Sequence, residues 1–167
     1  MPLDAETNFI RQQGFARTEG SDSGPRFGAL MFQPRIMAVL VVIGLALQAW
    51  PLFLILSILS WWNVLTPALN PFDLLYNRLV AGPRRLPQLT PAPGPRRFAQ
   101  GMAGTFMLAV AVLLLMHWYV AAAIVEVMLV GALASLIFGK FCLGSYIFHL
   151  VRGQTAFANR TLPWARG

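Results

Sequence analysis

The chain reads as an all-α integral membrane protein of four transmembrane helices arranged as two hairpins. Two observations carry this. Its 167 residues are 57% hydrophobic and only 11% charged, against roughly 25% charged in soluble domains. All thirteen basic residues also fall on one side of four apolar segments, about 32–50, 52–69, 98–116 and 119–139. Arg11, Arg17, Arg26 and Arg35 precede the first segment. Arg78, Arg84, Arg85, Arg96 and Arg97 lie between the second and third. Lys140, Arg152, Arg160 and Arg166 follow the fourth. The remaining connections, at Trp50-Pro51 and His117-Trp118, carry no Lys or Arg. Short loops rich in Lys and Arg stay in the cytoplasm, so both termini are expected there. The location implied is the bacterial cytoplasmic (inner) membrane.

Residues 1–31 form a cytoplasmic arm expected to be mostly irregular, with Phe9, Ile10 and Phe15 available for a short docking element. It lacks the basic-then-apolar order of a signal peptide and is expected to be retained. The membrane domain occupies 32–152, and 153–167 is a cytoplasmic tail. Ile36–Trp50 is short for a span, about 22 Å against a hydrocarbon core of about 30 Å. Extension back to Phe32 lengthens it, because Arg35 can snorkel to the headgroups. Trp50 suits the aromatic belt, and Pro51 suits the first turn of the next helix.

Pro67 and Pro71 end or kink the second helix. After Asn70-Pro71, a turn signal, Phe72, Leu75, Tyr76 and Leu79 recur at helical spacing, as in a short interfacial helix. Residues 81–97 hold five prolines, two glycines and four arginines, the composition of a semi-rigid connector. Its Arg84, Arg85, Arg96 and Arg97 would contact anionic lipid or an acidic partner face, or would simply set topology. Trp50 and Trp118 stand at equivalent turns. Leu79-Val80-Ala81-Gly82 echoes Leu150-Val151-Arg152-Gly153, as in a weak parallel repeat of two hairpins.

The net charge of +7 is spread over three segments rather than clustered on one face, so no nucleic-acid partner is expected. Glu126 is the only acid inside a span. It is either a proton-relay or ligand carboxylate, or a hydrogen-bonded group joining helices. Gly131, Ser135 and Gly139 recur every fourth residue, the spacing that lets helices approach closely. His117 and His149 lie at opposite membrane faces and cannot share a metal, and no metal site is expected. Either could ligate a haem or chlorophyll-type pigment, or hydrogen-bond at the interface. No resident cofactor is expected, although lipid or pigment at subunit contacts would fit.

Cys142 is the single cysteine, so it cannot form an intrachain disulfide. Lys140 nearby would favour its thiolate. If the fourth helix continues towards 151, Cys142, Tyr146 and His149 share one face. An inert buried thiol is the alternative.

Four segments in order resemble the bacterial family named domain of unknown function 4395. They are Gly24-Pro25-Arg26-Phe27-Gly28-Ala29, Pro71-Phe72-Asp73-Leu74-Leu75-Tyr76, Pro95-Arg96-Arg97-Phe98-Ala99-Gln100-Gly101 and Phe141-Cys142-Leu143-Gly144-Ser145-Tyr146. The resemblance implies a small membrane protein with a Phe-Cys-x-Gly-Cys-like motif, thought of beside thioredoxin-like or sulfur-transfer proteins. Ser145 stands where that motif has its second cysteine.

Sparse catalytic groups and much helix surface favour a non-catalytic accessory subunit of a larger assembly, respiratory or photosynthetic in kind, with other integral membrane subunits as partners. The alternative is a membrane thiol protein using Cys142 for disulfide, persulfide or sulfur transfer with a thioredoxin-like soluble partner. A third reading, a small transporter with Glu126 in its path, has the least support.

Overall fold

The structure, a computed structural model, describes residues 5–15 and 23–165. Arg17, Arg166 and parts of the arm and tail lie outside the described residues. All regular structure among the described residues is helical.

Helices α1 (Ala5–Gln12) and α2 (Ser23–Leu30) occupy the arm. The arm is therefore more ordered than its polar composition suggests, because Phe9 and Ile10 bury themselves against the bundle. α2 runs through Met31 into α3 (Phe32–Leu47), making a 25-residue apolar stretch, Ser23–Leu47. Gln48 stops it in the left-handed conformation. α4 (Trp50–Leu65) starts two residues later with Pro51 in its first turn. A 3-10 turn (Pro67–Leu69) leads to α5 (Pro71–Tyr76), the expected short helix, which continues as a π-helical turn over Asn77–Ala81 and the single turn α6 (Gly82–Arg84). The Pro-rich connector is pinned at its middle. Asn77 Nδ2 donates to the Leu89 carbonyl at 2.9 Å, and the Leu89 N–H donates to Asn77 Oδ1 at 2.7 Å.

α7 (Gly94–Leu115) and α8 (Tyr119–Ile137) form the second hairpin around His117. The fourth helix does not continue to 151. The chain breaks at 138–142, where Lys140 takes a left-handed φ of 50°, and restarts as α9 (Leu143–Val151) with Cys142 as its N-cap. α10 (Thr155–Arg160) closes the described chain.

Among the described residues, three helical stretches are long and apolar enough to cross a membrane: Ser23–Leu47, Gly94–Leu115 and Tyr119–Ile137. α4 is apolar but has 16 residues, about 24 Å of helix. α7 is the central element and packs on α4, α8 and α9. Its seam with α4 is glycine-mediated. A Cβ at Gly104 would lie 3.0 Å from Trp61 and 3.1 Å from Ser60, and Ser57 Oγ donates to the Gly104 carbonyl at 2.8 Å. One core cluster fills the bundle around Val41, Phe53, Met107 and Val110. A second lies at the arginine-rich end around Phe9, Phe27, Met31, Tyr76 and Cys142. The tail meets the arm there, with Asn8 Nδ2 donating to the Leu162 and Ala165 carbonyls at 3.1 and 3.3 Å.

Candidate functional site

Two buried polar clusters stand at the arginine-rich end. The first begins with Asn70, whose Oδ1 caps α5 by accepting from the N–H groups of Phe72 and Asp73. This fixes its Nδ2 as the atom facing Gln33 Oε1, at 3.2 Å. The cap aims Asp73 at Arg96, which binds it through both terminal nitrogens at 2.8 and 3.2 Å. The sequence groups Arg96 with exposed lipid-facing arginines, but it is only 5% exposed. Its charge is spent inside the protein. Arg84 and Arg85 are exposed, and Arg97 donates to the Val64 carbonyl at the end of α4, at 2.9 Å. Gln33 Oε1 also accepts from Gln100 Nε2 at 3.0 Å. Because Asn70 and Arg96 present only donors to it, Gln33 Oε1 must be the acceptor. Gln100 must therefore turn its nitrogen inward, which leaves Gln100 Oε1 buried without a partner.

The second cluster surrounds Cys142. Its backbone N–H donates to Gln12 Oε1 of the arm at 2.9 Å. The Ser145 hydroxyl lies 3.4 Å from Cys142 Sγ and 3.2 Å from the Pro95 carbonyl oxygen. It has one proton and donates to one of them at a time. Lys140 does not face the thiol as an isolated cation. It pairs with Glu6 at 2.8 Å and stands over the Phe27 ring. Cys142 is 7% exposed. Cys142, at the N-cap of α9, and His149, about two turns on, are both tied to Gln12 of the arm. His149 Nε2 donates to the Gln12 carbonyl at 3.1 Å, since a carbonyl can only accept, while Nδ1 lies 2.7 Å from Gln154 Oε1. His149 thus ties arm and tail by hydrogen bonds. α9 can lie this close to α7 because residue 144 is glycine: a Cβ there would sit 2.7 Å from Ala99 Cα.

Between the clusters is a cavity of about 180 Å³. α3, α7 and α8 wall it with Met37, Phe106, Met107, Met128 and Leu133, and Gln13, Gln33, Arg96, Gln100 and Cys142 also line it.

The opposite end of the bundle holds Glu126, His117, Trp50 and Trp118, and the small residues of α8 run from its middle back to the break. Glu126 is buried and accepts from Gln48 Nε2 at 3.3 and 3.4 Å, which ties α8 to the end of α3. His117 Nδ1 lies 2.8 Å from the Tyr119 hydroxyl, and Trp50 and Trp118 are exposed. Gly131 faces open space, with no atom within 4 Å of a Cβ built there. Ser135 Oγ donates to the Ala132 carbonyl, and Gly139 lies past the end of α8 in the break. The close seams within this chain are instead α9 on α7, at Gly144, and α4 on α7. The signal of the α4–α7 seam, Ser57-x-x-Ser60 on one helix and Gly101-x-x-Gly104 on the other, is present in the sequence at the spacing of one helix face.

Residues 23–152 match the family described as domain of unknown function (DUF4395), and the chain belongs to that family. No curated protein and no solved structure matches it.

Proposed function

We propose that this protein is a non-catalytic scaffold subunit that packs, through α8, within a larger assembly of the bacterial cytoplasmic membrane. In this reading it crosses the membrane four times as two hairpins, with both termini cytoplasmic. The observation that carries it is the face of α8. Val120, Ile124 and Val127 are largely exposed there, and Gly131 opens a shallow notch where another helix backbone can approach. The chemistry-bearing side chains support it, since Asp73, Arg96, Glu126, His149 and Lys140 each engage groups of the same chain. The host would be an energy-converting complex, respiratory or photosynthetic.

Extraction in a mild detergent on a C-terminal tag, followed by mass spectrometry and an absorbance spectrum, tests this. Stoichiometric membrane partners are expected, and they should be lost in Gly131→Leu while the variant keeps its own thermal stability. A lone monomer in the wild type would defeat the proposal.

A second reading rests on Cys142, which stands at the N-cap position of α9 and lines the cavity. It is thiol chemistry with a soluble thioredoxin-like partner. Trapping such a protein through Cys142, in place of membrane subunits, would move the assignment there.

A further inference from the structure

We infer that the cavity bounded by α3, α7 and α8 is a binding site for an uncharged amphiphile with a hydroxyl head. The inference is independent of the scaffold reading. Four features define the ligand.

Size comes first. A cavity of about 150 Å³ lined by apolar side chains takes a benzene ring. The present one, about 180 Å³, takes one substituted ring or a short alkyl segment. Its walls come second. Met37, Met102, Met107 and Met128 with Phe106 line it, and flexible thioethers adapt to ring edges and chains alike. Access is third. Met128 both lines the space and is 55% exposed on the outer face of α8, so a longer tail can leave past it into the lipid.

The polar end is fourth, and it sets the head group. Arg96 lines this end, but its charge is matched by Asp73 at 2.8 Å, so no free cation awaits an anionic head. Gln33 Oε1 is already taken by three donors. Gln13 is 5% exposed, and its side-chain amide makes no hydrogen bond among the described residues. Gln100, also lining, carries the Oε1 without a partner. A buried acceptor and a buried amide, both uncommitted and both beside an apolar chamber, suit one small group that donates and accepts. That group is a hydroxyl. A carboxylate would be desolvated without a cation of its own, and a plain hydrocarbon would leave both amides unpaired.

Two membrane sources share this chemistry, a quinol ring and the free hydroxyl of an acylglycerol. The sole cysteine of the chain lies in the cavity wall, so its alkylation reports occupancy. The full chain in lipid nanodiscs would be treated with N-ethylmaleimide in the presence of decylhydroquinone, 1-monocaprylin, or decanoate, and Cys142 labelling followed by mass. Saturable protection by decylhydroquinone or by monocaprylin is expected, and whichever protects identifies the source. Decanoate should protect at least about tenfold less well, the cost of roughly one lost hydrogen bond to a buried partner. Gln100→Leu should weaken protection by a similar factor, and Ala132→Trp, which fills the chamber, should abolish it. Met128→Trp at the rim serves the same purpose if Ala132→Trp does not fold. Protection by neither hydroxyl compound, equal protection by decanoate, or undiminished protection in a folded cavity-filling variant would each overturn the assignment.

Discussion

The Cys142 thiol and the Ser145 hydroxyl face each other at 3.4 Å across the first turn of α9. A cysteine at 145 would therefore meet Cys142 in the register of a Cys-x-x-Cys pair at a helix N-terminus. Ser145→Cys is expected to close an intrachain disulfide under mild oxidation, read as no uptake of alkylating reagent and a mass about two units below that of the reduced, unalkylated chain, because first-turn geometry brings such pairs within bonding reach. A variant that keeps two alkylatable thiols after oxidation would show that the backbone at 142–145 holds the pair apart.

Phe9 holds the arm over Cys142. It is fully buried and meets the Phe27 ring edge-on, with centroids 5.3 Å apart. Phe9→Ala should cost about 3–5 kcal/mol where the arm docks. Cys142 labelling should then accelerate by more than about tenfold, since local opening carries the exponent of that loss. Phe9→Leu should restore most of the protection. Unchanged labelling in Phe9→Ala would mean that the thiol is reached from the membrane side alone.

The pair of Asp73 and Arg96 predicts a non-additive cycle. Asp73→Leu or Arg96→Met alone leaves a buried charge uncompensated, at about 3–5 kcal/mol. The double variant should recover much of that loss in thermal or denaturant unfolding. Losses that simply add would indicate that water or lipid headgroups already screen the pair.

Glycines 131 and 144 should behave in opposite ways. Gly144→Ala places a methyl 2.7 Å from the Ala99 backbone and is expected to lower stability by about 1–3 kcal/mol. Gly131→Ala meets nothing in this chain and should leave the isolated protein unchanged. A matched loss in both would place Gly131 inside the fold rather than on its docking face.

Much of the architecture is legible in the sequence because it is written locally. Apolar length marks the helices, Pro51 and Asn70-Pro71 mark their starts, and the lack of Lys and Arg at 50–51 and 117–118 marks the turns. The candidate site is less legible because its partners are distant in sequence. Arg96 looks like its neighbour Arg97 until Asp73, 23 positions earlier, is placed beside it. The break before α9 depends on Lys140, rather than its neighbour Gly139, adopting the left-handed backbone. The arm reads as irregular because most of its polar ties run to Lys140 and residues after it. Gly131 and Gly104 both sit in small-residue patterns, and only the facing surfaces decide which one packs inside.

The hydrogen bonds from Asn8 to the tail join residues 154 and 157 positions apart. At about 5–20 residues per second of synthesis, the arm leaves the ribosome roughly ten to thirty seconds before its last partners exist. Throughout that interval Phe9 and Ile10 have no finished pocket, and the nascent membrane surface is their available shelter. Docking of the arm is thus a late event that waits on residues far along the chain.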